Sequence, residues 1–124
     1  MIVMTGRTWL TNLPDEECSE LLACAALGRL GVVVDGRPEV FPVCHVYLDG
    51  CVIFPTNEGT KMYTALQWPA VCFEVDAIDP DGLTARSVMV SGHAEEITDP
   101  AVIERAAQDG RETVRRIQEF SRTR

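Results

Sequence analysis

Residues 28–54 read GRLGVVVDGRPEVFPVCHVYLDGCVIF, and the rhythm of this stretch decides the fold. Three β-rich runs, LGVVV, EVFPVCHVYL and CVIF, are separated by Asp35-Gly36 and Asp49-Gly50. Asp-Gly supplies the positive φ angles of a tight hairpin turn, so the chain reverses twice and three antiparallel strands follow.

Working outward, Asn12 or the Asp15 side chain beyond Pro14 starts a helix over residues 12–27. Its apolar positions Cys18, Leu21, Leu22 and Ala25 recur at i, i+3, i+4 and i+7, and Gly28 stops it. On the other side, a short helix over 60–67 ends before Trp68-Pro69, because the residue preceding proline is pushed out of the α region. AVCFEV is a fourth strand, DAIDPDGLTAR a loop, and SVMVSGHAEEI a fifth strand in which Val88 and Val90 alternate with Met89 and Ser91. Thr98-Asp99-Pro100 caps and opens a helical segment over 98–124, through Ile103, Ala106, Val114 and Ile117. The expected organisation is one domain over 1–124, mainly β with flanking helices, its strands spread over 28–97. A five-stranded antiparallel sheet hides both faces only by curling, so a small β-barrel is the expected architecture.

The composition fits a folded domain: 124 residues, 46% hydrophobic, 24% charged. The formal net charge of −8 repels nucleic-acid phosphates and anionic lipid, so neither is an expected partner. Five cysteines, Cys18, Cys24, Cys44, Cys51 and Cys72, include no C-x-x-C pair, and with two histidines they assemble no metal-ligand spacing. The odd count argues against a disulfide framework. With no charged leader at the N-terminus and no run of about eighteen apolar residues, a cytoplasmic protein is expected, its thiols reduced and mostly packed as small hydrophobes.

Between Asn57 and Ala65 the chain reads NEGTKMYTA, after an apolar strand and at the mouth of the short helix. Unpartnered backbone N–H groups at a helix start favour an anion, and Lys61 adds a full charge beside the Thr60 hydroxyl. A phosphate suits this segment. The same residues also serve as an ordinary helix cap and a solvated first-turn lysine.

The ordered series ECSELLA (17–23), GRLGVVVDGRPEVFPV (28–43), VIFPTNEGTKM (52–62), FEVDAIDP and SVMVSGHAEEITDP resembles the pyridoxamine 5′-phosphate oxidase-related family, the FMN-binding split β-barrels, especially small bacterial members. The resemblance covers roughly residues 13 to 103. It implies a homodimer with a flavin nucleotide, FMN or a deazaflavin relative, in each intersubunit cleft. Thr56, Thr60 and Lys61 would meet the phosphate. Pro42, Val43, Cys44 and His45 would lie along the ring system, and Ser87 would approach it from the fifth strand. The chain departs from the family pattern at Pro55, where a basic residue is common, and at Cys44, Arg86, Ser91 and His93; Arg86 restores one of the lost charges. It also lacks the usual final strand, so the barrel is expected to be incomplete or closed by a helix.

Cys44 and His45 are neighbours on a strand and point to opposite faces, which rules out a paired nucleophile. If it shares a face with Val43, His45 is within reach of a cleft, but a structural histidine is the favoured reading; His93 offers a pH-dependent charge. Asp76, Asp79, Asp81, Glu95 and Glu96 lack the spacing of a calcium loop and read as a solvated rim. Trp68 suits a subunit interface or a core, and Arg111, Arg115 and Arg116 a charged helix face. No side chain stands out as acid, base or nucleophile, which fits chemistry performed by a flavin. Three functions follow: a flavin- or deazaflavin-dependent oxidoreductase, a non-catalytic flavin-binding protein, and a cofactor-free barrel acting through its dimer surface.

Overall fold

The computed structural model describes residues 13–25, 27–56, 59–67 and 70–110. Asn12, Asn57, Glu58, Trp68 and the segment from Arg111 onward, all invoked above, lie outside them. The elements run α1 (Asp15–Cys24), β1 (Leu27–Val34), β2 (Arg37–Cys44), β3 (Val46–Leu48), β4 (Cys51–Ile53), α2 (Lys61–Ala65), β5 (Val71–Ile78) and β6 (Ala85–Gly92). Residues 100–110 are helical and are labelled α3.

Both hairpin turns form as their chemistry demands. Asp35 and Gly36 have φ of 49° and 76°, Asp49 and Gly50 of 52° and 77°, positive at both central positions. The run EVFPVCHVYL, however, is not one strand. It breaks at His45, so β2 pairs with β1 in a four-stranded antiparallel sheet of order β2-β1-β5-β6, while β3 and β4 form a separate hairpin. The break has a tertiary cause: the His45 ring turns inward to the Leu22 carbonyl of α1, with Nε2 at 2.9 Å. β5 and β6 extend into the predicted loop, since Asp76 pairs with Ser87, Ala77 with Arg86 and Ile78 with Ala85. The connecting turn is organised by Asp79, whose backbone carbonyl accepts from Gly82 and whose carboxylate accepts from the Thr84 hydroxyl. The fold is thus mainly β with flanking helices, of the split-barrel type, with two sheets that do not close into one ladder.

The core is the inward face of the large sheet closed by α1: Leu21, Leu22, Leu30, Val32, Val43, Phe73, Val75 and Val88. α1 packs against β3, β5 and β6. Its start differs from the expected one: Pro14 is the N-cap and no side chain caps the helix, while Asp15, Glu16 and Glu17 place negative charge in the first turn. Its end differs too. The helix stops at Cys24 with Ala25 extended, and Gly28 lies inside β1. A Cβ on Gly28 would fall 2.1 Å from the Phe73 ring, so the glycine makes room for an aromatic rather than ending a helix. At the other end of the chain, Asp99 Oδ1 accepts from the Ala101 N–H, with Pro100 as the first helical residue of α3. Arg105 reaches Asp49 at 3.2 Å, and Gly110 lies against Val46, so α3 borders the β3–β4 hairpin. No strand follows β6 among the described residues.

Candidate functional site

The segment between β4 and α2 carries Thr56 and Thr60, and Lys61 opens α2; all three are exposed. Thr60 Oγ1 accepts from the Tyr63 N–H at 3.1 Å, and the Thr60 carbonyl accepts from the Thr64 N–H and hydroxyl, so Thr60 acts as the cap of α2. α2 is five residues long. So short a helix sums few peptide dipoles, and the positive charge here is that of the Lys61 side chain.

Lys61 is the single lysine in the sequence. Its Nζ is 2.5 Å from Glu39 Oε1, with side-chain exposures of 58% and 26%. Glu39 sits opposite Val32 near the hairpin end of β2, on the side that carries Phe41 and buried Val43. Sequence reasoning missed Glu39: one carboxylate in the run RPEVFPVC gives no sign of a partner more than twenty residues away.

The other implied residues divide by face. Pro42 and Cys44 are exposed on the outer face of β2, whereas Val43 and His45 are buried on the inner one. His45 packs edge-on to Phe73 at 4.7 Å, and its Nδ1 has no hydrogen-bond partner. Burial pushes the imidazole below its ordinary value of 6.5, against the Leu22 carbonyl bond, which raises it. Since that carbonyl can only accept, Nε2 carries the proton and Nδ1 the bare lone pair. Its ring is thus a structural element of the core. Ser87 shares the outer face, paired with Asp76 on β5, but β6 and β2 are opposite edges of the sheet. Three strand spacings separate them, about 14 Å, so one protomer does not bring Ser87 beside Pro42 and Cys44.

β2 pairs only with β1, which leaves its other edge open among the described residues. Pro38 and Pro42 both lie on this strand. At the centre of the outer face Arg29 bonds to Asp76 at 3.2 Å and pairs with Glu74 at 3.6 Å. Burial, then the hydrogen bond and charge of Asp76, raise the Glu74 carboxyl, against the Arg29 charge. Leu27, Val33, Val40 and Met89 are exposed on the same face. Arg86, expected to restore a positive charge, pairs with Asp79 at 3.5 Å. Arg29, Lys61, Arg86 and Arg105 therefore each face a carboxylate. The five cysteines are free, but Cys24, Cys44 and Cys51 are exposed and only Cys18 and Cys72 are partly buried, so most do not pack as hydrophobes.

A family model described as pyridoxamine 5′-phosphate oxidase matches residues 14–124. The chain belongs to the pyridoxamine 5′-phosphate oxidase-like family. Among solved structures of similar fold, a FAD-binding protein from Mycobacterium smegmatis is 36% identical with a TM-score of 0.70, over 80% of this chain and 81% of that one. A FAD-binding protein from Mesorhizobium loti is 30% identical with a TM-score of 0.64, over 74% and 66%. The Mycobacterium tuberculosis protein Rv0080 is 34% identical over 77% of this chain, which spans 66% of that relative's length.

Proposed function

We propose that this family member binds a flavin nucleotide and works as a flavin-dependent oxidoreductase. The observation that carries the reading is the 36% identity, across four-fifths of both chains, to a FAD-binding protein. The residues present fit the phosphate of such a ligand in kind: an exposed ammonium at Lys61, with the Thr56 hydroxyl on the same connection. When bound, the flavin supplies the hydride chemistry. The protein's part is to hold and orient it. Lys61 neutralises phosphate charge, and the open edge of β2 offers backbone groups to the polar rim of the ring. FMN and FAD both carry phosphate; FAD gains support from the two relatives, FMN from the ordered sequence pattern.

The distance between β2 and Ser87 supports a homodimer, in which a second copy completes what one protomer separates. So does the outer sheet face, where Val40 and Met89 are 66% and 68% exposed. Light scattering on the purified protein is expected to give a dimer at micromolar concentration; a monomer refutes the shared cleft.

The decisive experiment titrates the protein with riboflavin, FMN and FAD while following flavin fluorescence. Lys61→Ala is expected to weaken FMN and FAD by about ten- to hundredfold, as loss of a charged hydrogen bond does, and to leave riboflavin unchanged. Equal binding of FMN by parent and variant refutes the phosphate assignment. A second reading, a cofactor-free barrel acting through its dimer surface, draws on the pairing of Lys61 and Arg86 with carboxylates. It predicts no binding of any flavin.

A further inference from the structure

Glu39 occupies a position that alternation reserves for an apolar side chain. Its neighbours on the same side of β2 are Phe41 and buried Val43, and its own side chain is about one-quarter exposed. A carboxylate withdrawn that far from water needs a counter-charge, and Lys61 is the cation that meets it. The chain's single lysine is thus held by an anion of the protein itself.

We infer that Glu39 competes with the ligand's phosphate for Lys61. This rests on the proposal that Lys61 meets the phosphate. In the ligand-free protein the carboxylate holds the ammonium. A phosphate that takes the ammonium over leaves Glu39 short of its counter-ion and adjacent to a new negative charge. The repulsion grows with the charge on the ligand. The terminal phosphate of FMN carries close to two negative charges at neutral pH, as any monoester does, each phosphate of the FAD pyrophosphate carries one, and riboflavin none. Glu39 is therefore a specificity residue: it disfavours FMN more than FAD, and is indifferent to riboflavin.

The test removes the charge and keeps the shape. Glu39→Gln is expected to tighten FMN by about tenfold and FAD by about threefold at low ionic strength, leaving riboflavin unchanged. A second readout needs no flavin: an amine-acetylating reagent, followed by the mass of the peptide containing Lys61, should label the variant faster than the parent, and FMN should protect the lysine in both. Glu39→Ser, a second neutral substitution, should shift the affinities in the same direction. If Lys61→Ala weakens FMN while both neutral variants leave it unchanged or weaker, Glu39 orients the lysine instead of competing for it, and the inference fails alone. If Lys61→Ala leaves FMN unaffected, the phosphate assignment fails and the inference falls with it.

Discussion

Gly28→Ala adds one methyl group at the centre of the fold. The new Cβ would stand 2.1 Å from Phe73 Cζ and 2.4 Å from Cε2, where ordinary contact begins at 3.4 Å, so the ring must withdraw by roughly 1.3 Å. Phe73 is only 4% exposed and its ring is in edge contact with His45, which leaves little room to retreat. Overpacking of this kind costs about 1–3 kcal/mol, and the depth of the overlap places this case near the upper end. For a chain of this size about 4 °C accompanies each kcal/mol, so the midpoint should fall by about 10 °C. Gly92→Ala is the control: nothing lies within 4 Å of its added Cβ and its φ is not positive, so the midpoint should hardly move. Shortening the ring with Phe73→Leu should recover part of the loss, giving a favourable interaction energy in a double-mutant cycle of thermal or urea unfolding. Strictly additive losses would refute the packing account.

Two further outcomes are expected. Because burial holds the His45 imidazole neutral, the unfolded chain takes up a proton near 6.5 that the folded one resists; stability present at neutral pH should decline as pH falls through 6.5. Urea unfolding across that range should show a shallower slope for His45→Gln, which still donates to the Leu22 carbonyl but does not titrate, and an unchanged slope would clear His45. A thiol reagent should modify Cys24, Cys44 and Cys51 quickly and Cys18 and Cys72 slowly, since only the last two are partly buried; five equal rates would contradict the packing of α1 and β5.

What could be read from the sequence was local. Asp35-Gly36 and Asp49-Gly50 carry their backbone preference in their own atoms, and Leu21 and Leu22 declare a buried helix face by spacing alone. Two of the misread features depend on distant partners. Gly28 answers to Phe73, and the break between β2 and β3 answers to the Leu22 carbonyl. At the candidate site, a threonine before a short helix was legible, as was its alternative as a cap. The carboxylate holding Lys61 was not, because antiparallel pairing brings Glu39 there through contacts no local pattern encodes.

Pro38 and Pro42 have one more consequence. A proline nitrogen has no hydrogen to give the β1 ladder, so both must direct that side of the backbone toward the open edge of β2. Alternation sends Val40 and Cys44 the same way. Two of the four outward positions then lack a donor, and a foreign strand laid along this edge could complete only part of its ladder. The edge that would otherwise template fibril growth is blunted by the chain's own covalent structure, in folded and half-folded molecules alike.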